Sequence, residues 1–159
     1  MAVTTAFCNS AKVEMMRGVH DLSNAANQVR VALIRASETG TYGAGTTSYT
    51  DLTGNSDEAT VGGGGSGYTA GGFTLANTTP VLSGSTAVLT FGAAAVWTLS
   101  GADAELLSSG CILYNDTAAG DPALSVHAFS GTPSASGDGA TFTINWPTAD
   151  ASNAILRIA

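Results

Sequence analysis

The chain has 159 residues, about one domain, and its 12 Asp and Glu against 5 Lys and Arg give a net charge of −7. A basic stripe that could displace counterions from nucleic acid is missing, so we expect no nucleic-acid partner. No apolar run reaches the roughly 18–20 residues of a membrane span, and the N-terminus lacks a signal pattern. We therefore expect a soluble protein that has no membrane partner and is not exported by the usual signal.

The charges are unevenly distributed along the sequence. All cations but one lie in residues 12–35, whereas residues 37–156 contain ten carboxylates and no Lys or Arg. A solvated acidic exterior is the favoured interpretation of this pattern. The alternative is that the basic N-terminal third faces an acidic partner.

An N-terminal arm and a short helix are the first predicted elements. Residues 1–7 form a short apolar and hydroxylated arm. Asn9 or Ser10 can cap a helix and Gly18 can end one, which predicts a helix over residues 9–18. Its apolar face carries Cys8, Ala11, Met15 and Val19. So short a helix must pack on something, and we expect this face, with the Met15–Met16 pair as core filler, to lie on a sheet.

A strand and a long polar segment follow. Residues 28–36 alternate in polarity, which predicts a strand, and Ile34 indicates partial burial of its second face. Its two arginines, Arg30 and Arg35, could pair with carboxylates or reach out to a partner. Residues 37–60 carry only Tyr42, Tyr49 and Leu52 as large apolar anchors. A loop of this length inside a compact domain usually serves a function or an interaction. Residues 46–51 within it fit either a short helical turn or an edge strand.

Residues 61–72 contain seven glycines. Gly62, Gly64 and Gly67 formally fit the dinucleotide-binding pattern, but that site requires a helix after the loop, and strands are predicted there. The segment therefore indicates a flexible turn or close backbone packing.

Short strands joined by turns account for residues 67–99. Ala87, Leu89 and Phe91 alternate with polar or smaller residues, which places one face of a strand in the core. Ser83-Gly84-Ser85 precedes this run as a tight turn. A further strand at Phe73 and Leu75 completes a predicted three-stranded meander.

Four more strands are predicted before the C-terminus. They lie at residues 104–115, where Gly110 serves as a bend or bulge, and at residues 124–128, 141–146 and 154–158. The fold class expected is mainly β: a single antiparallel β-sandwich or barrel-like domain over residues 1–159, with one short N-terminal α-helix.

Residue types that carry chemistry are few and scattered. Cys8 and Cys111 lack histidines at metal-ligand spacing, and two unpaired buried thiols are favoured over a disulfide. His20 follows the helix beside Asp21, with no nucleophile marked nearby, and His127 alternates onto a solvent-facing side of its strand. We therefore predict no catalytic residue, no cofactor and no metal site.

Several blocks resemble a group of small structural proteins of tailed bacteriophages. The blocks are AFCNSAKVEMMRGVHDL, VRVALIRAS, GYTAGGFTL, TAVLTFGAAAVWTL and TFTINWPTADASNAILRI. They occur in the same order as in that group and span nearly the whole chain. The resemblance implies a virion component without enzymatic activity, by preference a capsid decoration (cement) protein bound outside the shell at capsomer junctions. The alternative is a tail or head-fibre module that contacts the host surface.

The expected partners are the major capsid protein and copies of the chain itself, with a trimer favoured. The expected location is the capsid exterior, after synthesis in the bacterial cytoplasm. Contacts to neighbouring subunits are expected from the arm, the 37–60 segment and the arginines beside it. The candidate interface residues are Val3, Thr4, Thr5, Arg30, Arg35, Tyr42 and Tyr49.

Overall fold

The computed structural model describes residues 2–23 and 27–159. Its helices are α1 (Asn9–Met16) and α2 (Thr50–Gly54). Its strands are β1 (Ala6–Phe7), β2 (Val29–Arg35), β3 (Phe73–Thr74), β4 (Val81–Ser83), β5 (Thr86–Leu89), β6 (Ala95–Thr98), β7 (Glu105–Asn115), β8 (Ala123–Ala128), β9 (Ser134–Ser136), β10 (Thr141–Ile144) and β11 (Leu156–Ile158). All paired strands are antiparallel. The expected fold class, mainly β and sandwich-like with a short N-terminal helix, is confirmed.

The main sheet has the order β1-β8-β7-β2-β3, and the start of β7 also pairs with β9. Strand β2 lies inside the sheet between β7 and β3, and residues that point to both of its faces, Val31 and Leu33 on one and Ala32 and Ile34 on the other, are buried. The strand predicted over residues 28–36 is therefore confirmed, and so is the burial of Ile34.

A β-bulge bends the pairing of β2 with β7. Ile34 pairs with Gly110 but Arg35 pairs with Ser108, so Ser109 is the extra residue. A Cβ at position 110 would lie 2.5 Å from the carbonyl oxygen of His127, which explains why glycine stands there. The bulge predicted at Gly110 is confirmed.

The predicted meander is wrong in one pairing. Strands β4 and β5 form the expected hairpin, with Ser83 opposite Thr86 and Gly84 at φ +63°. Strand β3, however, pairs with β2 in the main sheet, and the third partner in the small sheet is the C-terminal β11. Val88 is also buried, contrary to the alternation, because β5 is the central strand of its sheet.

An aromatic cluster joins β6 and β10 to the main sheet. Phe142 lies opposite Trp97, with ring centroids 6.1 Å apart. Trp97 also meets Phe73 of β3 edge-on at 5.8 Å and Tyr68 at 5.7 Å. The strand predicted over residues 141–146 ends early, at Ile144.

Helix α1 is shorter than predicted. It ends at Met16, and Gly18 leaves the helix at φ +71°. Its N-cap position is Cys8, with no side-chain capping bond, rather than Asn9 or Ser10. Cys8 and Ala11 are buried as expected, but Val19 is exposed because the chain has left the helical path there.

Candidate functional site

The N-terminal arm lies along its own domain. Val3 forms a parallel bridge with Tyr42, and the amide of Thr4 donates to the carbonyl of Tyr42 at 2.9 Å. The hydroxyl oxygen of Thr5 accepts the amide N–H of Ala128 at 3.0 Å. Thr4 and Thr5 are exposed and Val3 is half-buried, while Met1 lies outside the described residues. A contact from these residues to a neighbouring subunit stays a prediction.

Asp57 anchors the segment over residues 37–60. It is fully buried, and its carboxylate accepts the amides of Thr39 at 2.9 Å and Gly40 at 2.7 Å and the hydroxyl of Tyr42 at 2.8 Å. The Nε of Arg35 lies 3.0 Å from Asp57 Oδ1 as an ion pair, without hydrogen-bond alignment. Burial alone would raise the pKa of Asp57, but these hydrogen bonds outweigh it and lower the pKa.

Glu58 forms a second anchor beside the first. Its carboxylate accepts the hydroxyls of Tyr49 at 2.5 Å and Tyr68 at 2.8 Å and the amide of Gly71 at 2.7 Å. The Tyr49 ring stacks on Tyr114 with centroids 4.6 Å apart. These contacts hold the polar segment against the main sheet. Of the two alternatives for residues 46–51, each is met in part, because Ser48 forms an isolated bridge with Pro122 and helix α2 begins only at Thr50.

These anchors give four candidate interface residues, Tyr42, Tyr49, Arg30 and Arg35, partners inside their own domain, and a contact from any of them to a neighbouring subunit stays a prediction. Tyr42 is 1% exposed, so its side chain is enclosed by its own domain. Tyr49 is occupied by its stacking contact and by Glu58. Arg35 pairs with Asp57, and Arg30 lies 3.5 Å from Asp116 and donates to the carbonyl of Gly72. Their charges and rings hold the domain together.

The glycine-rich segment packs tightly against the chain. A Cβ at Gly63 would lie 1.7 Å from the carbonyl oxygen of Asp103, and one at Gly67 would lie 2.3 Å from that of Thr98. Close backbone packing is thus the correct alternative for residues 61–72.

Apolar side chains are exposed beside helix α1. Met16 is 90% exposed and Ile158 is 53% exposed. They line a groove of about 560 Å³ between α1 and β11, whose other lining residues include Phe7, Lys12, Met15 and Arg157. We call this the α1–β11 groove; a neighbouring groove of about 270 Å³ shares Phe7, Met15 and Ile158 with it.

Sequence reasoning missed this groove. It assigned Met16 to the core, but the helix presents Ala11 and Cys8 inward, and Met16 lies away from them. One feature of the sequence pointed to the groove: Met15 and Met16 are adjacent, and adjacent residues on a helix do not face the same way, so only one of them can lie in the core.

Both thiols are buried and free, as predicted. Burial raises the pKa of Cys8 and of Cys111 to about 12, so both are protonated at neutral pH. The His20 ring lies between Glu14, 3.0 Å from its Nε2, and Asn115, 3.0 Å from its Nδ1. This histidine joins the end of α1 to β7.

His127 differs from the expected solvent-facing histidine. It is half-buried, and its Nε2 lies 2.9 Å from the hydroxyl of Ser125. Burial lowers the pKa of His127 to about 4.

The pKa of His127 makes stability depend on pH. The unfolded chain binds a proton here below about pH 6.5, whereas the folded chain resists protonation down to about pH 4. This group therefore destabilises the fold as the pH falls from about 6.5 to 4. We expect His127→Asn to lose less thermal stability than the wild type between pH 7 and pH 5, measured by circular dichroism. An equal loss in both proteins would contradict this.

Residues 2–23 and 27–159 hold no group of three His, Cys, Asp or Glu side chains placed to bind a metal ion. Within the same ranges, no helix has the length and apolar character needed to cross a membrane. No protein-family model, curated protein or solved structure matches the chain. The candidate interaction site is the α1–β11 groove, because two large apolar side chains, Met16 and Ile158, are exposed in it.

Proposed function

We propose that the protein is a non-enzymatic structural component of a tailed-bacteriophage virion that decorates the outside of the capsid. The resemblance to structural proteins of tailed bacteriophages supports this, because the sequence blocks that carry the resemblance include helix α1 and strands β2, β5, β6, β10 and β11. The partners proposed are the major capsid protein and further copies of the chain, as a trimer, at the capsomer junctions of the shell.

The exposure of Met16 beside Ile158 is the observation that carries the proposal. Large side chains this exposed, set together in a groove, are typical of protein–protein contact sites. Only 11% of the residues are charged, so much of the surface can be buried without stranding ions. A decoration protein binds many identical sites, and a trimer gains avidity from several modest contacts.

Occupancy on purified particles tests the proposal. Burying a methionine side chain contributes about 1.5–3 kcal/mol, so Met16→Ser should weaken binding to undecorated capsids by about tenfold or more per site. The matched control is Leu82→Ser on β4, which removes another exposed large apolar side chain, 74% exposed, outside the groove. Bound protein is measured by sedimentation with capsids and by gel densitometry.

Two outcomes would count against the proposal. If Met16→Ser and Leu82→Ser reduce binding to capsids equally, the groove is not the capsid-binding site. Copy number per virion decides between decoration and the tail or head-fibre alternative: decoration requires copies in proportion to the capsomers, whereas a fibre or tail part is present in few copies.

A further inference from the structure

The cations without ion pairs are concentrated at the α1–β11 groove. Arg30 and Arg35 are paired with carboxylates, whereas Lys12, Arg17 and Arg157 have no ion pair within the described part of the chain. Two of these three, Lys12 and Arg157, line the groove. Both are exposed.

The polar contacts of these two side chains leave their charge uncompensated. The Nζ of Lys12 donates to the side-chain oxygen of Asn9 at 3.1 Å. The guanidinium of Arg157 donates to the main-chain carbonyls of Ala151 and Ser152. These acceptors are neutral, so each side chain keeps a full positive charge at the groove rim.

None of the described side chains that line the groove is acidic. Glu14 is bonded to His20. Asp21 lines only the neighbouring groove, and its carboxylate accepts the amide and hydroxyl of Ser23. Ala159 also lines the groove and ends the sequence. The lining thus carries two cationic side chains against one main-chain carboxylate, so in a chain of net charge −7 this groove favours an anion.

The groove floor is apolar. Phe7, Met15, Met16 and Ile158 supply it, and a volume of about 560 Å³ is of the size that holds bulky side chains. Strand β11 is also an edge strand of its sheet and pairs with β5 alone among the strands of the described residues, which is the position at which an extended segment can add to a sheet. The site thus combines an apolar floor, a main-chain edge and two cations at the rim.

We infer that the α1–β11 groove binds a segment of another protein in which Asp or Glu residues flank Leu or Phe. The apolar side chains fill the groove, and the carboxylates meet Lys12 and Arg157. On the proposed function, on which this last step rests, the segment belongs to the major capsid protein.

A peptide experiment tests the groove without any virion. The probe is a short fluorescein-labelled peptide with a Leu-Phe pair flanked by two Glu residues on each side, and the control peptide has Gln in place of each Glu. We expect the Glu peptide to bind more tightly than the Gln peptide by fluorescence anisotropy, with affinity that falls as salt rises. The double variant Lys12→Glu with Arg157→Glu should weaken binding of the Glu peptide about tenfold.

Arg17→Glu is the matched control for charge. It reverses an exposed cation beside α1 that does not line the groove, and we expect Glu-peptide affinity close to that of the wild type. Circular dichroism melting of each variant shows whether it is folded. Lys12, Arg17 and Arg157 are exposed and lack ion pairs in the described ranges, so we expect each reversed variant to fold, with the largest loss of melting temperature at Arg157, whose hydrogen bonds to Ala151 and Ser152 are removed.

Several results would overturn the inference. They are no binding of the Glu peptide, equal binding of the Gln peptide, or equal weakening by Arg17→Glu. Self-association in analytical ultracentrifugation that Lys12→Glu abolishes would instead assign the groove to a second copy of the chain. If the protein binds the peptide but does not bind capsids, the proposed function is refuted, while the inference that the groove binds an acidic and apolar segment stands.

Discussion

Replacing Asp57 with alanine is expected to lower the free energy of unfolding by about 3 kcal/mol. The substitution leaves the amides of Thr39 and Gly40 and the hydroxyl of Tyr42 without their acceptor, and it strips Arg35 of its ion pair. A buried donor that is left without an acceptor destabilises the fold by more than its hydrogen bond had stabilised it. Urea unfolding followed by tryptophan fluorescence measures the change.

Asp116→Ala is the matched control for this substitution. Asp116 also pairs with an arginine, Arg30, at 3.5 Å, but it is exposed. Surface ion pairs contribute about 0–1 kcal/mol, so the control should stay within about 1 kcal/mol of the wild type. Equal losses at positions 57 and 116 would show that Asp57 does not act as a buried anchor.

The sign of the pH dependence follows from the lowered pKa of Asp57. A carboxyl whose pKa is lower in the folded chain stabilises the fold above its unfolded pKa, which is about 3.9. That contribution is lost as the pH falls through the folded pKa. The stability difference between wild type and Asp57→Ala should therefore be constant from neutral pH to about pH 4 and shrink below it.

The anchoring of residues 37–60 could not be predicted from the sequence. In the sequence, Asp57 and Glu58 are two acidic residues in a polar segment, and acidic residues are usually solvated. Asp57 is buried and Glu58 is half-buried, and both depend on donors from Arg35, Thr39, Gly40 and Tyr68, which come together only after folding. The same reason explains why Tyr42 was assigned to an interface.

The alternation of apolar and polar residues predicted those elements that depend only on residues close in sequence. The buried strand β2, the hairpin of β4 with β5 and the alternation around Phe142 were all visible, because each depends on neighbours within a few residues. The pairing of β3 with β2 was not, since the two strands are separated by about forty residues and nothing in either one specifies its partner. Gly110 was an exception, because a glycine inside an apolar strand marks a bulge without reference to the partner strand.

The sequence indicated that cations matter to the candidate site, but it did not indicate where in the fold the site lies. The confinement of cations to the N-terminal third raised the alternative of an acidic partner. The arginines chosen for it, Arg30 and Arg35, lie in β2 and are paired with carboxylates. Arg157, more than a hundred residues from Lys12 in sequence, reaches the same groove because β11 returns to the side of α1.

Gly72→Ala is expected to destabilise the fold by about 3 kcal/mol. Gly72 has φ +72°, which costs an alanine about 1–2 kcal/mol. A Cβ there would also lie 1.9 Å from the carbonyl oxygen of Val31 and 2.7 Å from the Cα of Ala32. Both atoms belong to the backbone of the buried strand β2, so relief requires the glycine-rich segment or the sheet to shift.

Gly84→Ala separates the two contributions to this effect. Gly84 has φ +63°, close to that of Gly72, but a Cβ there meets nothing within 4 Å. Its loss should be about 1 kcal/mol, from backbone strain alone. The excess at position 72 then measures the close approach of the glycine-rich segment to β2, by urea unfolding under identical conditions. Equal losses at the two positions would mean that the segment can move away from β2 at little cost, and that its glycines serve conformation rather than packing.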